Sequence, residues 1–459
     1  MPVEPQSVAL TTDLYELTMS AAYYQQGMTG KATFEMFVRN MPENRGYLIT
    51  AGLEHVLDYL EALRFTEDDL WYLFDLPVFT DIDEGFWDYL RALRFEGDVW
   101  AIPEGTVVTE DEPLLRVTAP LIHAQIIEAY LLSVMNFQTM IATKAARVVD
   151  AADGRGVQGR GARTASGVVD FGLRRAHGTE AGFWAARACF IGGCVGTSNV
   201  DAARAFGIPP IGTAAHSFTL AFDSEERAFD AYAASFPDNV LLLIDTYDTT
   251  EGARKAARFG DKLQGVRIDS GDLLRESRKV RKILDKAGCE HAKIVASSNL
   301  NEYKIEALVK KGAPIDLFGV GTEMITSADA PALPGVYKLV SIERDGVNEP
   351  CAKQSEGKAM YPGAKQVYRV TKDGLFSHDL LATDTEAAPE GAVPLLEKVM
   401  EGGSRIGRKP HLDIIRDRAM KQRQQLAPNI TRLSSPHVYP VEATEELERL
   451  ARQTAAKTL

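Results

Sequence analysis

Seven short polar clusters, each directly following an apolar, β-branched run, hold the side chains of this sequence that are equipped for chemistry. They are Asp170-Phe171-Gly172-Leu173-Arg174-Arg175, Gly196-Thr197-Ser198-Asn199, Gly212-Thr213-Ala214-Ala215-His216-Ser217, Asp245-Thr246-Tyr247-Asp248, Arg267-Ile268-Asp269-Ser270-Gly271-Asp272, Ser297-Ser298-Asn299 and Gly319-Val320-Gly321-Thr322. Arginines, paired carboxylates, glycine pairs and one histidine suit a phosphorylated, sugar-like substrate. Phe171 beside Arg174 offers an aromatic face next to a guanidinium, a fit for a flat anionic ring, although a core phenylalanine has the same local pattern. Arg267 can pair with a phosphate or carboxylate. Asp269 and Asp272 suit ribose hydroxyls or a hydrated Mg²⁺, which takes oxygen ligands and substrate phosphates, while either one also suits a helix cap. Asp245 and Asp248 repeat the theme one cluster earlier. Gly319, Gly321 and Thr322, with Ser298 in the preceding cluster, allow close approach of backbone N–H groups to a phosphate; turn glycines are the plainer reading. Among eight histidines, His216 alone lies in a polar strand-end cluster, with Thr213 and Ser217 beside it. His177 reads as structural.

These residues have to be brought together by the elements between them. Helical patterns separate most of the apolar runs, and that alternation is the signature of parallel strands with crossover helices. In closed barrels such strands deliver their C-terminal residues to one mouth, where the loops after the last strands often bind phosphate. Val240–Ile244 reads as a strand buried on both faces, Asp223-Ser224-Glu225-Glu226 as the start of a helix, and Ser298-Asn299 as the cap of a helix that Gly312 ends. Before this region come a helix over Leu14–Gln25, a strand over Ala32–Val38, a helix over Gly52–Leu63, short antiparallel strands between Gly97 and Val117, and a long helical pattern from Leu121 to about Asp150. The glycine- and arginine-rich stretch from Gly154 to Gly167 reads as a loop. After Glu323 the alternation stops. Tyr337–Ile342 and Gln366–Val370, with turns at Asp345-Gly346, Pro362-Gly363 and Asp373-Gly374, read as antiparallel strands returning to the N-terminal part. Thr444–Leu459 reads as a charged amphipathic helix or a frayed tail.

Composition sets outer limits. The 459 residues, 45% hydrophobic and 25% charged, are those of an ordinary globular protein of two or three domains. A formal net charge of −13 argues against nucleic-acid and acidic-membrane partners, but a local field in a cleft still accommodates a small anion. Cys189, Cys194, Cys289 and Cys351 lack paired metal-ligand spacing, and the first two are expected within or beside a buried strand. The start has no signal-peptide pattern, and the apolar stretch 121–137 is interrupted by His123, Gln125 and Glu128. A cytoplasmic location is the expectation.

In this order, the motifs resemble the nicotinate phosphoribosyltransferase family over nearly the whole chain. Thr12-Asp13-Leu14-Tyr15-Glu16-Leu17-Thr18-Met19 is similar to its N-terminal signature, and Asn136-Phe137-Gln138-Thr139 through Arg147 to its central helix. The clusters around Phe171, His216 and Asp269 are similar to its active-site segments, and Pro362-Gly363-Ala364-Lys365-Gln366-Val367-Tyr368-Arg369 to its C-terminal return. The resemblance implies an irregular seven-stranded α/β barrel over residues 136–335, and an open-faced α/β sandwich built from 1–135 and 336–459. It implies transfer of phosphoribosyl from 5-phosphoribosyl 1-diphosphate to nicotinate in NAD salvage, with ATP as co-substrate and Mg²⁺ carried on the diphosphate, with Asp269 or Asp272 as candidate ligands. It further implies a homodimer in which Tyr15 enters the neighbour's site and sandwiches the pyridine with Phe171. Arg174 and Thr213 would then lie near the nicotinate and ribosyl groups, Arg267 on nicotinate or phosphate, Thr322 on the 5′-phosphate, and His216 would be phosphorylated. Ser198 stands where nicotinamide-using relatives of the same fold carry an aspartate. A carboxylate there would repel nicotinate, so the serine favours the acid. A quinolinate-type enzyme would need further basic groups, and a Schiff-base aldolase needs a strand-end lysine that the clusters lack. A non-catalytic nucleotide-sensing relative is opposed by the intact Arg174, His216 and Asp269.

Overall fold

The apolar runs between Gly167 and Val320 pair as a parallel sheet, and the helical segments between them cross over as the alternation requires. The computed structural model describes residues 8–153, 167–353 and 360–458. The stretch 154–166, read above as part of a loop, lies outside the described residues. The chain divides into two compact units, one of Met1–Thr139, Ala332–Ile430 and Ser435–Leu459, the other of Met140–Pro331 and Thr431–Ser434.

The second unit carries the polar clusters. Its strands are β1 (Gly167–Asp170), β2 (Gly196–Thr197), β3 (Val240–Leu243), β4 (Leu263–Ile268), β5 (Lys293–Ala296) and β6 (Leu317–Val320), hydrogen-bonded in the order β2-β1-β6-β5-β4-β3. Every pairing is parallel, so all six strands present their C-terminal ends at one edge of the sheet. First and last strands lie side by side, with Asp170 opposite Val320. That pairing sets two clusters 150 residues apart in sequence against each other. The run before His216 does not form a ladder. Among the described residues its one bridge is Pro210 to Thr197, with the Thr197 N–H donating to Pro209 O (3.1 Å) and the Ile211 N–H to Thr197 O (2.9 Å). Two consecutive prolines supply no N–H donors, so pairing stops after one residue.

Local signals account for several boundaries. Ser224 accepts from the Arg227 N–H (3.3 Å) and opens helix Glu225–Ser235. Helix Glu302–Lys310 is capped by Asn301, which accepts from the Lys304 N–H at 3.0 Å, not by Ser298-Asn299. Those two residues hold positive φ, 100° and 43°, and carry the chain through a bend before the helix can start. Cys189 lies in helix Thr179–Ile191 rather than beside a strand, whereas Cys194 lies two residues before β2, beside a buried strand as expected. Both thiols are buried.

In the first unit the two ends of the chain share sheets. Its seven-stranded sheet runs Val347–Pro350, Gly335–Arg344, Lys31–Val38, Pro113–Pro120, Asp98–Ala101, Glu397–Glu401, Ser404–Arg405. The pairing is antiparallel throughout. Asp345-Gly346 and Asp373-Gly374 take positive φ at both positions, the conformation of two-residue hairpin turns. The long helical pattern is broken into Leu121–Gln125 and Glu128–Ala152, and the C-terminal stretch is a helix over Glu445–Thr458. No helix among the described residues is long and apolar enough to cross a membrane.

Candidate active site

Arg267, the penultimate residue of β4, is the hub of the strand-end constellation. Its side chain is 11% exposed, and a guanidinium so placed needs most of its N–H groups satisfied. Nε donates to Ser297 Oγ (2.9 Å), one terminal nitrogen to Thr213 Oγ1 (2.8 Å), and the other to Asp269 Oδ1 (2.8 Å). Its Cζ lies 5.6 Å from the centroid of the Phe171 ring. Four strand-end clusters therefore meet at one arginine, with a cation over an aromatic face.

Asp269 takes a second hydrogen bond on Oδ1, from the Ser297 hydroxyl. Partial burial works to raise its pKa, but the Ser297 hydrogen bond and the Arg267 hydrogen bond and charge outweigh it and hold the carboxyl below its ordinary value. Its other oxygen, Oδ2, lies 3.8 Å from His216 Nε2. His216 Nδ1 shares a hydrogen bond with Thr246 Oγ1 at 3.1 Å. The imidazole is thus held by Thr246 on one side and faces Asp269 on the other, with its side chain still 40% exposed. His216 is the first residue of the short helix His216–Leu220, and Ser217 after it is exposed.

Asp245, at the end of the run that forms β3, braces the same region. Its Oδ2 accepts from the Asp269 N–H (2.8 Å) and the Ser270 hydroxyl (2.6 Å). Its Oδ1 is buried with no hydrogen-bond partner among the described residues, which leaves a carboxylate oxygen open to water, a ligand or a cation. Asp272 has a different role. It caps helix Leu273–Lys286, accepting from the Leu274 and Arg275 N–H groups at 3.1 Å each.

On the other side of the hub, Phe171 is 8% exposed and its N–H donates to Val320 O (2.9 Å). The buried Asp170 carboxylate locks the preceding turn by accepting from the Gly172 N–H (2.8 Å) and the Thr197 hydroxyl (2.7 Å). Burial pushes its pKa up against those two hydrogen bonds. The Ser198 N–H donates to Asp170 O (2.8 Å), which seats the half-buried Ser198 beside the Phe171 turn. Arg174, in the single turn Leu173–Arg175, is exposed and has no ion pair among the described residues. Ser298 and Thr322 are exposed at their strand ends. Tyr15 lies on helix Leu14–Gln25 of the first unit, 45% exposed.

The glycines after β5 and β6 serve packing as well as any ligand. A Cβ on Gly319 would lie 2.4 Å from Phe171 Cδ2 and Cε2, and one on Gly321 would lie 3.2 Å from Phe171 O. The aromatic ring occupies the space a side chain at 319 would need. Gly319→Ala is therefore expected to displace the ring and to destabilise the fold by about 1–3 kcal/mol. Urea unfolding checks this, and a midpoint equal to that of the parent chain would show that the ring has room to move.

Thr246 and Ser297 carry no signal in the sequence beyond their place in the clusters. Both are hydroxyls at the ends of apolar runs, and only the pairing of neighbouring strands shows that they hold His216 and Asp269.

Comparison with known proteins finds relatives over nearly the whole chain. Family models described as the nicotinate phosphoribosyltransferase N-terminal domain, the nicotinate phosphoribosyltransferase family and the nicotinate phosphoribosyltransferase C-terminal domain match residues 10–136, 167–371 and 389–451. Nicotinate phosphoribosyltransferase pncB2 of Mycobacterium tuberculosis is 45% identical over 467 aligned positions, covering 100% of this chain and 96% of that protein. Nicotinate phosphoribosyltransferase of Bacillus subtilis is 40% identical, covering 96% and 94%. The crystal structure of human nicotinic acid phosphoribosyltransferase superposes with a TM-score of 0.83 at 28% identity, over 96% of this chain and 99% of that one. With its mixed α/β fold and full-length matches, the chain belongs to the nicotinate phosphoribosyltransferase family and is an enzyme of that type.

Proposed function

We propose that this enzyme joins the ring nitrogen of nicotinate to the anomeric carbon of 5-phosphoribosyl 1-diphosphate, releasing diphosphate and forming nicotinate mononucleotide, with ATP hydrolysis coupled through His216. The observation that carries the reading is Arg267: one guanidinium over the Phe171 ring, bonded to Thr213, Ser297 and Asp269, with His216 against the same Asp269. A flat anionic ring on Phe171 would find a fixed positive charge at its edge. Family resemblance adds Arg174 and, from a neighbouring subunit of a homodimer, Tyr15 as the second face. It also supports a seven-stranded barrel, in which the Pro209–Ile211 segment would serve as the missing strand, and a sandwich built from the two chain ends.

As diphosphate departs, the anomeric carbon becomes oxocarbenium-like, and catalysis consists of holding the ring in line and stabilising the leaving polyanion. No general base is required, because the pyridine nitrogen attacks with its own lone pair. Gly319, Gly321, Thr322 and Ser298 offer backbone and hydroxyl donors for the 5′-phosphate, and Ser217 lies beside the phosphoryl acceptor. Asp245 and Asp269 suit the ribose hydroxyls or a cation. Mg²⁺ would neutralise the diphosphate, and the unpartnered buried Oδ1 of Asp245 fits its preference for oxygen. Because Asp272 is engaged as a helix cap, Asp245 and Asp269 are the better candidates to face the metal. Among the described residues no three carboxylate, histidine or cysteine side chains cluster as a metal site, so such a cation would draw most of its ligands from diphosphate and water.

Diphosphate release measured with nicotinate, nicotinamide and quinolinate, each with and without ATP, tests the reading. Turnover confined to nicotinate and stimulated by ATP is expected, whereas equal use of nicotinamide would overturn the ring assignment. Ser198→Asp is expected to raise the KM for nicotinate on the order of tenfold or more, because like charges meet in a poorly solvated site. Unchanged kinetics would place Ser198 away from the ring. For the shared site, Tyr15→Ala and Arg174→Ala are each expected to be nearly inactive. Mixing them under subunit exchange should restore activity, because one site per heterodimer then carries both native residues. No recovery from proven heterodimers would put both residues in one subunit's site.

A further inference from the structure

Three consecutive carboxylates, Glu110, Asp111 and Glu112, cross a turn of the first unit, and the fold uses two of them. Glu110 accepts from the Met41 N–H (2.6 Å), and the buried Glu112 accepts from the Thr109 N–H (3.0 Å). Asp111 is left over. Its N–H donates to Val38 O (2.8 Å) and its φ is 63°, so its backbone is fixed in the left-handed region, which aspartate and asparagine tolerate. Its carboxylate has no hydrogen bond or ion pair among the described residues. Burial, and after it the charge of Glu110, pushes its pKa up, and Arg39 is the base that works against them.

That carboxylate borders a cavity of about 330 Å³. Phe37 comes to the wall from strand Lys31–Val38, Leu381 from strand Leu375–Thr383 and Ala451 from helix Glu445–Thr458. Met360 and Tyr361 come from the segment leading into strand Lys365–Lys372. The wall is anchored. Where the helix begins, the Thr444 N–H donates to Leu381 O (3.0 Å), and beside Tyr361 the Gly363 N–H donates to Val340 O (2.8 Å). Lys365 also lines the cavity, but its ammonium is spent. Tyr361 O (2.9 Å), Gly363 O (2.8 Å) and the Glu35 carboxylate (2.7 Å) take its three N–H groups. A ligand therefore meets an apolar chamber with one unmatched carboxylate, and chambers of this size with few polar groups are the form of small-molecule sites.

Charge decides what fits. An anion would face Asp111, with Glu448 close enough that both raise the pKa of the Tyr361 phenol after burial has done so. A neutral molecule would take the apolar walls and leave the carboxylate as it is. A cation gives Asp111 its partner and lies beside an aromatic ring. We propose that this cavity binds a small organic cation, a protonated or quaternary amine on a compact apolar body, with its nitrogen on the Asp111 carboxylate and its body against Phe37, Leu381 and Ala451. None of these residues belongs to the strand-end constellation, and the proposal does not rest on the transfer reaction.

Benzylamine, benzyl alcohol and phenylacetate carry one ring each and are positive, neutral and negative at neutral pH. Calorimetric titration of the full chain with each of them reads the site. Saturating nicotinate is kept present, so that no aromatic acid scores at the strand ends. Benzylamine is expected to bind about tenfold or more tighter than either of the others. Asp111→Asn removes the charge and keeps a residue suited to the left-handed turn. It should bring benzylamine down to the level of benzyl alcohol, with nicotinate turnover and the urea midpoint unchanged. Ala451→Phe fills the chamber and should abolish binding of both, with circular dichroism showing that the variant is folded. No binding of benzylamine to the parent chain, equal affinity for the three probes, or parent affinity for benzylamine in Asp111→Asn or in folded Ala451→Phe would each overturn the proposal.

Discussion

His216→Ala is expected to lose ATP hydrolysis and the stimulation by ATP completely, while keeping a slow, ATP-independent transfer. The imidazole is held between the Thr246 hydroxyl on Nδ1 and Asp269 on the Nε2 side. Neither neighbour is a group that must leave before a phosphoryl group can approach, and the ring remains reachable from solvent. In the proposed mechanism a neutral imidazole nitrogen attacks the γ-phosphorus of ATP, so that an N–P bond would form and the P–O bond to ADP would break. Water later cleaves the N–P bond, regenerating the imidazole and releasing inorganic phosphate. While the phosphoryl group is present, the added negative charge beside Asp269 alters the field in which the diphosphate is bound and released. None of these events makes or breaks the glycosidic bond, and for that reason transfer survives the substitution. The label from γ-labelled ATP should be acid-labile, base-stable and absent from the variant. Full ATP-stimulated turnover in His216→Ala would make the residue structural and end this mechanism.

Which of these features are legible in a sequence follows from the range of the interactions that create them. The helix over Leu14–Gln25 and six of the seven apolar runs rest on local periodicity, and they form a helix and strands as that periodicity requires. Polar residues at strand ends are equally local, so Phe171, His216, Arg267 and Asp269 stand out one by one. What no local pattern contains is who meets whom. The sheet order places β1 against β6, and only through that pairing does Gly319 become the floor under Phe171. Likewise Ser297 and Thr213 gain their place from Arg267, which lies on a different strand from either. Two misreadings had signals of their own. Pro209-Pro210 already announced that the run before His216 lacked the N–H groups of a full strand. Asn301 stood beside the expected cap at Ser298-Asn299, but the positive φ values that delay the helix are a property of the bend and not of the residue types. Asp272 shows the remaining ambiguity: an aspartate opening a helix satisfies the same spacing whether it serves substrate or backbone.

Arg267→Ala is expected to produce the largest loss among the residues that face the proposed substrate, through the number of groups one guanidinium holds together. The side chain is nearly buried and bonds Ser297, Thr213 and Asp269 while lying over Phe171. Removing it leaves Asp269 with one hydroxyl in place of an ionic partner, and its carboxyl would rise toward the ordinary range as the Arg267 contribution disappears. Truncating one member of a buried, hydrogen-bonded charge pair costs about 2–5 kcal/mol, which corresponds to roughly 30-fold to several thousand-fold in kcat/KM. Arg267→Lys keeps the charge but loses the planar fork that reaches three clusters at once, and should fall between the parent and the alanine variant. Two readouts separate a site effect from a folding effect. If Arg267 faces the anionic ring, the loss should be larger for nicotinate than for a neutral pyridine analogue, and the lysine variant should recover part of that difference. Were both variants to lose stability in urea in proportion to activity, with no change in the preference between charged and neutral rings, Arg267 would be a brace for the strand ends and the ring's carboxylate would have to be met by Arg174 instead.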